Sequence, residues 1–395
     1  MILLIKRVAL FLSIAALSCN SEIKPSKKKT FEEDLAFINT YATPIVLTKG
    51  NAKIMVIPEY EARVLTSTTN GDKGYSNGYL NYKKIQENKI EQGGNAYGGE
   101  DRLWLAPLGS KYTLFYGQKK MEEENWYVPK AFDSELYTLK TKTKSSVHFY
   151  KKTTVTNNIG SQFKINIDRS IFIYSKKEIE SELNLKIHKD LHYVGFGSIN
   201  KITNIGENWS EKNGIITPWI LGMFNGCQES TSIFPYKESN TTPLQLSTYL
   251  NPLNKDRLIK KKYALLYRTD GAYRSKIGIK PENTIPIIGN YNSKSKILTV
   301  ITFSFNKDGK FLSSDDRDKK NELWRGDVVN SYNNGLNTEG APSFFELESA
   351  SEAKILKKNE SIVHRHKTFH FSGDEKALNN LCIKLFHYNL KECSF

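Results

Sequence analysis

The run Phe163-Lys164-Ile165-Asn166-Ile167-Asp168 alternates apolar and polar side chains, and Ile171-Phe172-Ile173-Tyr174 prolongs it as a β-rich segment. A period of two is strand geometry: one face collects Phe163, Ile165 and Ile167, the other Lys164, Asn166 and Asp168. The pattern extends outward in both directions. Upstream it recurs in Ile54, Val56 and Pro58, in Arg63-Val64-Leu65-Thr66-Ser67-Thr68 and in Tyr112-Thr113-Leu114-Phe115-Tyr116, with Thr68-Thr69-Asn70-Gly71 supplying a turn. Downstream it returns in Lys296-Ile297-Leu298-Thr299-Val300-Ile301-Thr302-Phe303. Glu178 to Ile187 is assigned to a strand with its neighbours.

Helical spacing is confined to the end. Ser372-Gly373-Asp374-Glu375 has the form of a capping box, and Leu378, Leu381, Cys382 and Leu385 follow at helical intervals. That stripe predicts a short closing helix packed on the sheets. No fixed-period repeat or Pro/Gly-rich linker divides the chain, so residues 31–395 are expected to form one all-β domain.

At the N-terminus, Lys6 and Arg7 precede the apolar run Val8 to Leu17 and then Ser18-Cys19. A basic flank, a short apolar core and a small residue make a secretory signal. The run is too short to span a membrane, which takes about 20 apolar residues. Ala16-Leu17-Ser18-Cys19 resembles a bacterial lipobox. The resemblance implies removal of residues 1–18, acylation of Cys19 and lipid anchoring to the outer membrane of a bacterial cell envelope. Residues 19–30 are polar and Lys-rich and read as a tether.

The formal charge of +15 becomes +13 without Lys6 and Arg7. Lys and Glu alternate throughout, and no basic block is interleaved with aromatics, which argues against nucleic acid. The excess favours anionic partners, including acidic sugars or a membrane face. With Cys19 acylated, Cys227, Cys382 and Cys393 remain; they have no C-x-x-C or zinc-finger spacing, and a disulfide among them is left open.

Chemistry concentrates in a few places. Gly98-Gly99-Glu100-Asp101-Arg102-Leu103-Trp104 sets two carboxylates, a guanidinium and an indole behind two glycines. Carboxylates accept from hydroxyls, Arg donates in a fixed fork and an aromatic face covers C–H surface, so the group suits a polyhydroxylated ligand. A surface turn with a local Asp–Arg pair is the plainer alternative. In Ser343-Phe344-Phe345-Glu346-Leu347-Glu348-Ser349, strand alternation puts Glu346 and Glu348 on one face and Phe345 and Leu347 on the other. Two carboxylates that close resist double ionisation and offer a base and a hydroxyl acceptor together; a solvated face is the alternative. His364, His366, Thr368 and His370 also share a face, as acid/base groups or metal ligands. The spacing fixes no further ligand, so no metal or other cofactor is expected. Arg274 and Lys276, Asp327 and Asn330 in a polar loop, Asn204 and Trp219 complete the inventory of groups that sugar sites use.

Glu61-Ala62-Arg63-Val64-Leu65, the Gly-Gly-Glu-Asp-Arg stretch, Asn204-Ile205-Gly206 and the Glu346-Leu347-Glu348 strand followed by His-Arg-His-Lys-Thr-Phe-His resemble the galactose-mutarotase-like (aldose 1-epimerase) superfamily, in an uncharacterised, often lipoprotein branch. The resemblance implies a β-supersandwich with a carbohydrate cleft on its concave sheet. It implies that Glu346 or Glu348 takes the anomeric hydroxyl proton and that Arg102 binds the sugar. The chain departs from the family mid-way: Thr203-Asn204-Ile205-Gly206 stands where the family has an Asn-His-x-Tyr-Phe-type segment, and no histidine matches. Either His364 or His366 serves as the acid, or the chain does not catalyse mutarotation.

The expected function is therefore sugar binding by a monomeric lipoprotein, with Glu346 or Glu348 as base and Glu100, Asp101, Arg102, Asn204, Trp219, Arg274, Lys276, Asp327 and Asn330 around the ligand. A glycan-binding module without turnover and a structural or interaction lipoprotein are the alternatives. In the last of these, Arg102 and the Glu346/Glu348 face do not meet.

Overall fold

The computed structural model describes residues 29–91, 93–315, 323–393 and 395. The expected signal segment, Cys19 and the tether up to residue 28 lie outside them.

In chain order the strands are β1 (Ile45–Lys49), β2 (Ala52–Ile57), β3 (Arg63–Thr68), β4 (Arg102–Ala106), β5 (Thr138–Lys142), β6 (Ser146–Thr156), β7 (Gln162–Ile173), β8 (Leu191–Asn204), β9 (Thr217–Asn225), β10 (Ser230–Pro235) and β11 (Leu246–Leu250). They continue with β12 (Leu258–Lys260), β13 (Ala264–Arg268), β14 (Ser275–Ile279), β15 (Ile287–Asn292), β16 (Ile297–Phe303), β17 (Val329–Asn333), β18 (Phe344–Ala350) and β19 (Ser361–Gly373). The helices are α1 (Phe31–Ile38), α2 (Tyr82–Glu87), α3 (Lys176–Glu182) and α4 (Glu375–Phe386). Strands β1–β3 form a three-stranded sheet. A ten-stranded sheet runs β12-β13-β10-β15-β16-β19-β8-β7-β6-β5, and a six-stranded sheet runs β11-β14-β17-β18-β9-β4.

The two large sheets pack face to face. Alternation along β18 sends Phe345, Leu347 and Ser349 inward, where Ser349 meets the histidines of β19. Leu103, Ile220, Ile277 and Leu347 from the smaller sheet share one buried apolar cluster with Ile165, Ile167, Phe196 and Ile202 from the larger. Burying such side chains on both sheets is the main force joining the layers. The outer face of the larger sheet is closed by α3 and α4, through Ile179, Leu378, Leu381 and Cys382 against Leu298, Val300, Phe369 and Phe371. The all-β expectation with a closing helix therefore holds.

Local expectations differ in four places. Glu178 to Ile187 is not a strand. Ser175 caps α3 with a reciprocal Glu178 box, and this local signal overrides the β-rich neighbourhood. A second box, Thr30 with Glu33, starts α1, which periodicity alone did not reveal. At α4 the cap is Asp374, whose carboxylate accepts from Ala377 N at 2.8 Å, rather than a box opened by Ser372. Tyr112 to Tyr116 forms turns, not a strand: all five residues are buried, so there is no exposed face for alternation to mark.

Candidate functional site

The outer face of the six-stranded sheet is built from side chains that the strand period points away from the sandwich core. Arg102 on β4 lies opposite Leu221 on β9, Leu221 opposite Glu348 on β18, and Glu348 opposite Asn330 on β17. The next row brings Trp104 opposite Trp219. Neighbouring strands are about 4.8 Å apart, so these residues form one compact patch. Val64 pairs with Asp101, which sets Arg63 beside Arg102 on the same face.

The charges interlock. The Arg102 guanidinium donates to the Glu346 carboxylate. The Lys276 ammonium lies 3.2 Å from Glu348 Oε2 and 3.1 Å from the Ser314 carbonyl. It also lies 4.9 Å from the centroid of the Trp219 ring, and Arg102 stands 5.4 Å over Trp104. Trp104 and Trp219 meet edge to face at 6.0 Å. Asn330 Oδ1 accepts from Ser314 Oγ at 3.1 Å, so the segment before residue 316 roofs part of the patch.

Four buried polar atoms of this patch have no hydrogen-bond partner among the described residues: Arg102 Nε, Trp219 Nε1, Asn330 Nδ2 and Glu348 Oε1. Burial pushes the Glu348 carboxyl up to about 7, with the Glu346 charge adding to the rise and Lys276 and Arg102 opposing it. Such a carboxyl can hold or release a proton near neutral pH.

At one end, Asp327 accepts from Ser247 Oγ at 2.9 Å and from Tyr249, and lies 3.0 Å from the Lys280 ammonium. Gly278 leaves room for this arrangement, since a Cβ there would stand 2.1 Å from Asp327 Oδ2. Asn330 belongs to strand β17, not to the loop expected over that stretch. Arg274 is exposed at the rim, where its Nε donates to Tyr332 Oη at 3.3 Å.

The structure separates the other expected site residues from this face. Glu100 points inward and pairs with His370 at 2.6 Å, while Asp101 pairs with Arg169 at 2.8 Å between the sheets. His364 Nε2 and His366 Nδ1 each lie 2.8 Å from Ser349 Oγ, on the opposite face of β18 from Glu346 and Glu348. Burial lowers His364 to about 3, with His366 adding to the fall, and lowers His366 to about 4, so both are neutral. The placement of His364 and His366 as acids beside the glutamates is thereby corrected: the β19 face they share is the interlayer face. Among the described residues no group of three or more His, Cys, Asp or Glu side chains is arranged to hold a metal ion. Asn204 is committed to a turn, its amide donating to the Glu207 and Leu356 carbonyls at 2.8 and 3.1 Å. Among the described residues Cys227, Cys382 and Cys393 form no disulfide.

Two contributors stand outside the set expected around the ligand, Trp104 being read only as the indole of the 98–104 stretch. Trp104 supplies an aromatic wall, and Arg63 buttresses the turn before Arg102 by donating from Nη1 to the Gly98 carbonyl at 2.7 Å. Arg63 also pairs with buried Glu61, whose backbone and that of Ala62 are left-handed at φ 44° and 53°. Two consecutive non-glycine residues in that region store strain that the surrounding contacts must hold. Only the Glu-Ala-Arg segment of the family resemblance pointed here.

Residues 29–395 match the model of a family of unknown function, DUF6786, and the chain belongs to that family. No curated protein matches the sequence. Among solved structures, a galactose mutarotase-like protein from Lactobacillus casei ATCC 334 superposes with a TM-score of 0.50 at 11% identity, covering 83% of this chain and 100% of that one. A protein from Escherichia coli K12, provisionally assigned as an aldose 1-epimerase, is similar at a TM-score of 0.49 and 8% identity, covering 84% of this chain and 99% of that one. A galactose mutarotase related enzyme from Lactobacillus acidophilus has a TM-score of 0.42 and 9% identity, covering 84% of this chain and 97% of that one. The fold is the galactose mutarotase-like β-sandwich.

Proposed function

We propose that the outer face of the six-stranded sheet binds a sugar and that Glu348 exchanges a proton with its anomeric hydroxyl. The observation that carries this reading is the convergence of Arg102 Nε, Trp219 Nε1, Asn330 Nδ2 and Glu348 Oε1, buried and without partners among the described residues, beside two indoles. An unpaired buried polar group costs about 1–3 kcal/mol, so a patch that keeps several is arranged for a ligand that satisfies them. Sugar hydroxyls and ring oxygen match the polar atoms, and the indoles cover C–H faces.

The groups present support ring opening and reclosure. Ionised Glu348 takes the proton of O1 while the Lys276 ammonium gives one to the ring oxygen. The bond between C1 and the ring oxygen breaks, a carbonyl forms at C1, and rotation about C1–C2 followed by the reverse steps gives the other anomer. Both protons return, so nothing is consumed. Lys276 takes the acid role because it lies 3.2 Å from Glu348 on the correct face, whereas His364 and His366 face the other layer. A carboxyl titrating near 7 suits a base that must release its proton in each cycle.

NMR exchange at the anomeric carbon, across free aldoses and uronic acids, tests this with wild type beside Glu348→Gln and Glu346→Gln. Accelerated interconversion that Glu348→Gln abolishes is expected. A second reading, a glycan-binding module without turnover, is favoured by the absence of histidine from this face among the described residues. It predicts ligand shifts with no acceleration. The proposal includes one domain over residues 31–395, acting as a monomer and anchored by lipid at Cys19 in a bacterial outer membrane. Loss of palmitate labelling in Cys19→Ser checks the anchor.

A further inference from the structure

We infer that Cys382 and Cys393 are a disulfide-forming pair, whose oxidation ties the turn after α4 to that helix, whatever ligand the outer face of the six-stranded sheet takes.

Two spacings bring the thiols together. Asn379 and Cys382 lie three apart on α4 and so share one face of the helix. Leu390 and Cys393 lie three apart across a single 3-10 turn, Leu390–Glu392, where Cys393 N donates to the Leu390 carbonyl at 3.0 Å. Between these pairs His387, left-handed at φ 56°, ends α4 and redirects the chain. Leu390 N then donates to Asn379 Oδ1 at 2.7 Å. With the first members of the two pairs tied, the second members meet. The Cys382 thiol is hydrogen-bonded to Cys393, whose own thiol donates to the Asn389 carbonyl at 3.5 Å.

Cys382 is 0% and Cys393 4% exposed, and both belong to the apolar cluster that seats α4 on the ten-stranded sheet. A single buried thiol packs as a small apolar group. Two in mutual contact also meet the proximity that a disulfide demands. Cys227 stands apart between β9 and β10, where its sulfur accepts from Asn292 Nδ2 at 3.1 Å.

The oxidant is an external disulfide. Cys393, as thiolate, attacks one of its sulfurs; a mixed disulfide forms and the other oxidant sulfur leaves. Cys382 then attacks Cys393 Sγ, the Sγ–Sγ bond forms, and the second oxidant sulfur leaves. Two electrons pass to the oxidant, and the two thiol protons end on its sulfurs. The hydrogen bond to Cys393, with burial, holds the Cys382 thiol above its ordinary value. Capping of Cys393 removes that bond, which frees Cys382 to act in the second step.

Oxidised glutathione is the probe, applied to the native full chain and, separately, during refolding of the reduced chain. Neither access to buried thiols nor refolding then limits the result. Remaining thiols are alkylated, and the chain is digested with trypsin without reduction. Lys384 and Lys391 lie between the two cysteines, so cleavage puts Cys382 in the 377–384 peptide and Cys393 in one that starts at Glu392. The expected result is one linked species that reduction splits. The intact chain should be lighter by two hydrogen atoms, and Cys227 should carry the alkylating group. In Cys382→Ser, Cys393 should instead retain glutathione. Cys382 and Cys393 both alkylated, both left with glutathione, or either one linked to Cys227 overturns the inference.

Discussion

Glu348 and Ser349, consecutive residues of β18, serve opposite layers of the molecule. Glu348 faces outward with Lys276 Nζ 3.2 Å away, while Ser349 Oγ faces inward, 2.8 Å from both His364 Nε2 and His366 Nδ1. One peptide unit divides a candidate proton-transfer site from a buried histidine network. The two are therefore expected to respond separately to pH and to mutation.

On the proposed mechanism anomeric exchange should rise with pH through about 7 and level off above it, because that mechanism uses the carboxylate form of Glu348 as the base. Glu348→Gln should lower the rate by a factor on the order of 10²–10⁴, the usual contribution of a positioned base. Rates measured by anomeric NMR between pH 5.5 and 8.5 check this. A flat profile would remove Glu348 from the role.

Acid should destabilise the protein through the histidines. In the unfolded chain each titrates near 6.5. Burial holds His364 and His366 at about 3 and 4, so the folded state binds fewer protons. The stability they contribute is fully present above pH 6.5 and is lost as pH falls towards those values. By pH 4 the loss should be about 3 kcal/mol for each. Denaturant titrations from pH 7.5 to 4 measure it, and His366→Gln should flatten the acid limb while leaving sugar binding at neutral pH intact.

Arg102→Met should cost about 3–5 kcal/mol, because Glu346 is left buried without its cation. Adding Glu346→Gln should recover a large part of that loss. A double-mutant cycle in urea gives the coupling. Additive losses would mean that the two side chains do not act as a pair.

Gly278→Ala should push Asp327 and Asn330 apart, since the new Cβ would stand 2.1 Å from Asp327 Oδ2 and 2.8 Å from Asn330 Oδ1. Asp327 cannot retreat without releasing Ser247, Tyr249 and Lys280. A loss of about 1–3 kcal/mol in stability, the usual cost of overpacking, is expected together with weaker sugar binding. Thermal melts beside ligand titration check both.

Much of the fold was legible because strand alternation is a local property of the chain. Phe163 to Asp168, Arg63 to Thr68 and Ile297 to Phe303 all lie in strands. The same period correctly paired Glu346 with Glu348 and His364 with His366 on their faces. Capping chemistry at Ser175 and Thr30 is equally local, but the strand assignment of Glu178 to Ile187 follows its β-rich neighbours, and Thr30 falls at the end of the expected tether.

Strand period assigns residues to one of two faces, and it does not say which face looks into the sandwich and which into a cleft. That depends on which sheet a strand joins and what covers it, and both are set by pairings between residues far apart in sequence. Glu100, Asp101 and Arg102 show the consequence. They are adjacent in the chain, yet pairing of β4 with β9 turns only Arg102 towards Glu346 and sends the two carboxylates to His370 and Arg169. The sequence by itself determined the all-β class, the closing helix and the chemical inventory of the site. Tertiary structure alone decided that Arg102, Trp219, Lys276, Asn330 and Glu348 converge while the histidines do not, because burial of the apolar faces chooses the side on which each polar face is left.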